Sequence, residues 1–195
     1  MTDYDRVQLA ATRLLIHQSI SGLPVTPEWM TFDRPIYFDT IQSYCQKTHT
    51  APDFFMDGSH NLVDGYTVKN GITNIVLYNR QVSWGRRKFT LAHELGHIYL
   101  GHSSCGPEEE KEANWFASQL LMPECVLMEI FQRDGRLLEQ DVQHWFMVSA
   151  SAARTRINQL KNVKSYRFSR EEQKLLKKYL PHIIAAVNHP YLVSV

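Results

Sequence analysis

Between Asp3 and Gln18 the apolar residues Val7, Ala10, Ala11, Leu14 and Leu15 recur at helical spacing, and Ser21-Gly22 followed by Pro24 supplies a stop. The spacing predicts a first helix. From 23 to 60 the pattern dissolves, because Pro24, Pro27, Pro35 and Pro52 stand among Trp29, Phe32, Tyr37 and Phe38. Irregular chain around one short helix near 38–48 is expected there. The residues from 63 to 79 turn to β-branched and aromatic runs on either side of Asn70-Gly71, a dipeptide whose residues both accept positive φ, and predict a hairpin. From about Arg86 to Leu100 one helical face carries Phe89, Ala92, Leu95, Gly96 and Tyr99, with Gly101 placed to end it. Pro107 and the acids Glu108, Glu109 and Glu110 open a third helix that runs to about Met122-Pro123. Helical segments also fit 137–146 and 149–160, joined by the link Met147-Val148. Ser169 to Glu172 is a capping box that opens a basic helix, which Pro181 ends or kinks.

The 195-residue chain, 44% hydrophobic and 21% charged, is long enough for a core that needs no disulfides. A single α+β domain is expected, with a core at 1–135 and a helical C-terminal extension at 136–195 packed on it. The extension comprises a helix-turn-helix-like segment at about 137–160 and a basic tail helix at about 169–188. Lys and Arg number 21 against 20 Asp and Glu, for a net charge of +1, so no global field draws the molecule to nucleic acid or anionic membrane. Cys45, Cys105 and Cys125 are odd in number, far apart and never in a CxxC pair, which argues against a disulfide framework or a thiolate zinc knuckle and fits a reducing cytoplasm. Acids stand where a signal peptide carries bare positive charge, and no apolar run approaches the roughly 18 residues of a membrane span. A cytoplasmic location without membrane insertion is the expectation.

Chemistry concentrates in Thr90-Leu-Ala-His93-Glu94-Leu-Gly-His97, an HExxH on a predicted helix. Two imidazoles four residues apart project from the same side of one helix, the bite that a tetrahedral zinc ion takes from two ligands. Glu94 lies beside them, placed to act as general base toward a metal-activated water. Gly96 in mid-helix costs about 1 kcal/mol relative to alanine, which points to something packing closely there. Zinc needs a third protein ligand. The metzincin pattern HExxHxxGxxH demands glycine at 100 and histidine at 103, and Leu100 and Ser103 exclude it. His102 lies beyond the glycine that ends the helix and reads as a capping residue or one that supports the ligands from behind. Among Glu108, Glu109, Glu110 and Glu112, the last shares a helix face with Trp115, Phe116 and Gln119, and is the one placed on the metal.

The strings FTLAHELGHIYLGH (Phe89 to His102) and EANWFASQLLMP (Glu112 to Pro123) resemble the ImmA/IrrE-type zinc metallopeptidases. Weaker similarity reaches from the first helix and Leu23-Pro24-Val25 to Val148-Ser149 and Arg156. The resemblance implies a zincin-like core with a small β-sheet, an HExxH active-site helix and Zn2+ held by His93, His97 and Glu112, since the glutamate before Ala-Asn is the family's third ligand. It also implies a bacterial or phage protein of the cytoplasm that cleaves, or helps to inactivate, a helix-turn-helix repressor. Residues 29–62 match no pattern.

Several roles stay open at this level. Candidate oxyanion donors are Tyr99, His102, Tyr66 and Tyr78. The strand Ile75-Val-Leu-Tyr78 is either an edge that pairs with a substrate backbone or an internal strand. Arg154 and Arg156 lie on the second helix of the helix-turn-helix-like segment, so a regulatory or DNA-binding module with little proteolysis is the alternative to an endopeptidase. The basic tail residues Arg167, Arg170, Lys174, Lys177 and Lys178 read as a solvated face.

Overall fold

The computed structural model describes residues 3–19, 22–104, 106–160 and 166–188; Ser21, assigned to the first helix stop, and Cys105 lie outside them. The described residues form eight α-helices and one three-stranded sheet, a mixed α+β architecture. Helix α1 spans Asp3–His17, and two 3₁₀ turns at Pro27–Trp29 and Pro52–Phe55 interrupt the proline-rich stretch. That stretch is more ordered than its composition suggested. It contains strand β1 (Ile36–Thr40) and helix α2 (Ile41–Thr48), which begins where the Thr40 side chain accepts from the Ser43 N–H. The five residues of this strand show no clean alternation, so periodicity does not predict it.

Strands β2 (Gly65–Asn70) and β3 (Thr73–Tyr78) form the expected hairpin. Asn70 pairs with Thr73, so the turn is carried by Gly71 and Ile72 rather than by Asn70-Gly71. Gly71 alone takes positive φ (59°), as the first central position of a type II′ turn requires. The sheet order is β1-β3-β2, with β1 parallel and β2 antiparallel to β3. The strand weighed as a substrate edge, β3, is therefore internal, and β2 holds an open edge. One face of the sheet packs Val76 against Leu91 and Ile98 of helix α3 (Trp84–Leu100), and the other packs Leu77 against Ile41 and Phe55.

Helices α4 (Pro107–Leu121), α5 (Glu124–Asp134), α6 (Glu139–Phe146), α7 (Ala150–Leu160) and α8 (Arg170–Asn188) follow in the described residues. Helix α5, which Pro123 separates from α4, is not among the elements that the sequence pattern predicts. The capping box of α8 is formed in both directions, Glu172 N–H to Ser169 Oγ at 3.3 Å and Ser169 N–H to Glu172 Oε2 at 2.8 Å, and the helix continues through Pro181 to Asn188. One apolar core runs from Val7 of α1 through Leu95, Phe116, Ile130 and Trp145 to Ile183 and Ala186 of α8. Polar ties reinforce it. The buried Lys88 donates to the Phe146 carbonyl at 2.6 Å, and Lys178 leaves the expected solvated face to cap the end of α1 at the Leu15 and Ile16 carbonyls, 3.0 Å from each.

Candidate metal centre and cleft

Helix α3 buries Leu91, Ala92 and Leu95 completely, and this anchored back holds His93 and His97 on the opposite side, toward a cleft of about 900 Å³. Their Nε2 atoms lie 3.0 Å apart. Helix α4 closes over them because Gly96 leaves room: a Cβ there would sit 3.1 Å from the Ala113 Cα and 3.2 Å from the Phe116 Cβ. The close crossing brings Glu110, one turn before Ala113, onto the histidines. Glu110 Oε2 is 3.3 Å from His93 Nε2, and its Oε1 is 3.4 Å from His97 Nε2. The ligand atoms of His93, His97 and Glu110 all lie within 4.8 Å of one another. Donors on a tetrahedral zinc ion at about 2.0–2.1 Å stand roughly 3.3–3.4 Å apart, so this spacing fits such an ion.

The third position thus differs from expectation, since the structure brings Glu110 and not Glu112 to the histidines. Residues two apart on a helix point about 200° away from each other. Glu110, Ala113 and Asn114 face α3, whereas Glu112 and Trp115 face α1, where Trp115 packs on Tyr4 at 5.2 Å between ring centres and Glu112 accepts from Arg6 Nη2 at 2.6 Å. Glu108 pairs with Lys111, and Glu109 accepts from Ser104.

Glu112 still reaches the site, through His102. Its Oε2 lies 3.0 Å from His102 Nε2, and His102 Nδ1 lies 2.9 Å from His97 Nδ1. A carboxylate only accepts, so His102 Nε2 carries the proton and its Nδ1 takes the one from His97 Nδ1–H. The lone pair of His97 is then left on Nε2, where the cluster needs it. On the other histidine, Nδ1 stands 3.0 Å from Asn114 Oδ1, and donation to that oxygen directs the His93 Nε2 lone pair to the same point. The turn carrying His102 is pinned on both sides, by its own N–H to the His97 carbonyl (3.0 Å) and by Lys69 Nζ to its carbonyl (2.7 Å).

Electrostatics agree with this arrangement. Burial pushes the His97 imidazole down to about 4, so it is neutral, as a ligand must be, at ordinary pH. For Glu112 burial favours the neutral acid, but the hydrogen bonds from Arg6 and His102 outweigh it and hold the carboxyl below its usual range. Glu94 behaves in the opposite way: burial raises it above the carboxylate range in spite of the hydrogen bond from Thr67. Thr67 Oγ1 donates to Glu94 Oε2 at 2.5 Å, which leaves Oε1 open to a proton. Close approach of β2 to α3 is possible because residue 65 is glycine, whose added Cβ would come within 2.3 Å of Thr90 Cγ2.

Of the four candidate oxyanion donors, Tyr66 and His102 line the cleft. Tyr99 donates to Asp33 and stacks on Phe116, and Tyr78 lies under the Arg87 guanidinium. Arg156 is 1% exposed and donates to the Met122 carbonyl at 3.1 Å, and Arg154 is paired with Glu139 at 2.8 Å. A side chain buried like Arg156 is not presented to a DNA groove. Sequence reading also passed over Thr67, Asn114, Arg6 and Lys69, none of which carries a local signal except Asn114, four residues after Glu110 on the same face.

An HExxH helix crossed by an acidic helix beside a small mixed sheet defines a domain of metallopeptidase type. The chain belongs to the Peptidase_M78 family, described as the IrrE N-terminal-like domain, whose family model matches residues 46–158, more than half of its length. No curated protein matches the chain significantly. Among the described residues no helix is long and apolar enough to cross a membrane.

Proposed function

We propose that this protein is a zinc-dependent endopeptidase that cuts an extended segment of a protein partner. The observation that carries the reading is the convergence of His93, His97 and Glu110 beside Glu94, in a cleft bordered by the open edge of β2. His93, His97 and Glu110 would hold the ion. Zinc, when bound, would supply an activated water and polarise the scissile carbonyl. Glu94 takes up a proton at Oε1 as the water attacks and passes it to the departing amine nitrogen. Its buried setting suits this task, because a carboxyl raised above its ordinary range holds a proton long enough to return it. Asn114 and His102 orient the two imidazoles, and Glu112 and Arg6 hold His102. The substrate proposed from the family resemblance is a helix-turn-helix repressor in the cytoplasm.

Elemental analysis of purified protein, followed by incubation with repressors encoded near its gene, tests the reading. One zinc per chain is expected, lost in His93→Ala, together with a discrete cut that a chelator abolishes. A wild-type protein that takes up no metal would overturn the proposal.

A further inference from the structure

The cleft has a second wall that the metal centre does not use. Asn79 N–H donates to the Asp64 carbonyl at 2.8 Å across the β2–β3 ladder, and in an antiparallel pair such hydrogen-bonded positions recur every second residue. Tyr66 and Val68 therefore bond inward to β3, and the N–H and C=O of Gly65, Thr67 and Lys69 face the open edge. Side chains alternate across the sheet. Thr67 turns to Glu94, so Tyr66 turns to the opposite face, where its ring meets Phe54 at 5.9 Å and Phe55 at 5.4 Å. Phe55 is buried, but Phe54 is 64% exposed and Tyr66 39% exposed, and both border the same cleft as His93 and Glu94. Tyr44, Thr50 and Val68, which also line the cleft, carry no charge, and the one acid beside them, Asp64, is already paired with Arg86.

We infer that the outer edge of β2 and the exposed rings of Phe54 and Tyr66 together form the surface that selects the substrate, an extended segment with large apolar side chains at alternate positions. The inference rests on the peptidase reading of the site. A strand laid along β2 finds free backbone partners at every second residue, and its side chains fall alternately toward Glu94 and toward the aromatic wall. A large apolar side chain against Phe54 and Tyr66 covers rings that otherwise face water. A carboxylate there loses hydration and gains no partner.

The test separates recognition from cleavage. Glu94→Gln, loaded with zinc, is titrated with fluorescently labelled Ser/Thr-rich peptides that carry either Phe or Asp at two positions two residues apart, and binding is read by anisotropy. The Phe peptide is expected to bind roughly tenfold tighter or more. Backbone N-methylation should weaken it at every second residue only. Phe54→Ser combined with Tyr66→Ser, at two exposed positions, should erase the preference with zinc content unchanged. Equal affinity for the two peptides, a preference that survives the double substitution, or N-methyl effects without the two-residue period would each overturn the inference. If the preference is found but the zinc-loaded wild type cuts neither peptides nor repressors, the surface stands and the peptidase reading falls.

Discussion

The two walls of the cleft are built on opposite terms. On the α3–α4 wall Nδ1 of His93, Nδ1 of His97 and both ring nitrogens of His102 have hydrogen-bond partners, and Gly96 lets the two helices touch. On the β2 wall the backbone edge is open, and the ring of Phe54 is mostly in water. Chemistry needs donors held to about half an ångström, which packed helices provide. Recognition of a foreign segment needs groups that are not yet satisfied, and these are found on a sheet edge. Preorganisation and availability are divided between two elements that meet at Thr67, whose side chain serves Glu94 and whose backbone faces the cleft.

The contrast can be broken most sharply at Glu94. Glu94→Gln should retain zinc and the fold while cleavage falls by about 10²–10⁴-fold, since an amide cannot take up the proton. A variant that cuts at the native rate would remove Glu94 from the mechanism, and loss of metal would make it a ligand. The two glutamates of α4 come next. Glu110→Ala should abolish stoichiometric zinc, whereas Glu112→Gln and Arg6→Ala, which act through His102, should weaken it by roughly 10–100-fold. Competition with a chromogenic chelator measures both, and the reverse ranking would return Glu112 to the metal.

A smaller effect is expected from the helix crossing. Gly96→Val pushes a branched side chain into the Ala113 backbone and should lower stability by about 1–3 kcal/mol, seen as a fall in the urea midpoint with an unchanged slope. An unaltered midpoint would show that α4 does not depend on the gap. Least of all should follow from Phe54→Ala on the open wall, where a change within about 0.5 kcal/mol is expected of an exposed ring. A clear loss of stability would mean that this ring supports the fold and is not free for a ligand.

Much of this architecture was legible before folding was considered. Helices α1, α3 and α4, the hairpin and the capping box of α8 follow from local periodicity, caps and turn residues. Gly96 in mid-helix correctly announced a close neighbour, which is Ala113. Less was legible where a short strand lies among prolines, as in β1, or where a proline begins a helix directly after another, as in α5. Glu112 was read as packed, and it is, with its side chain 14% exposed. Which neighbour packs on it was not written in the α4 sequence, because α4 has two covered faces and periodicity reports burial without naming the partner.

By itself the sequence determined which side chains share the face of α3, because an i,i+4 spacing on one helix is a local relation that no tertiary contact alters. Only the tertiary structure decided that Glu110 stands over His93 and His97, that Arg6 holds Glu112 from 106 residues away, and that β2 and not β3 is the open edge. It also withdrew Arg156 from the surface by packing it under Met122. Each of these depends on how segments distant in the chain lie against one another, and that follows from the shape of the whole core.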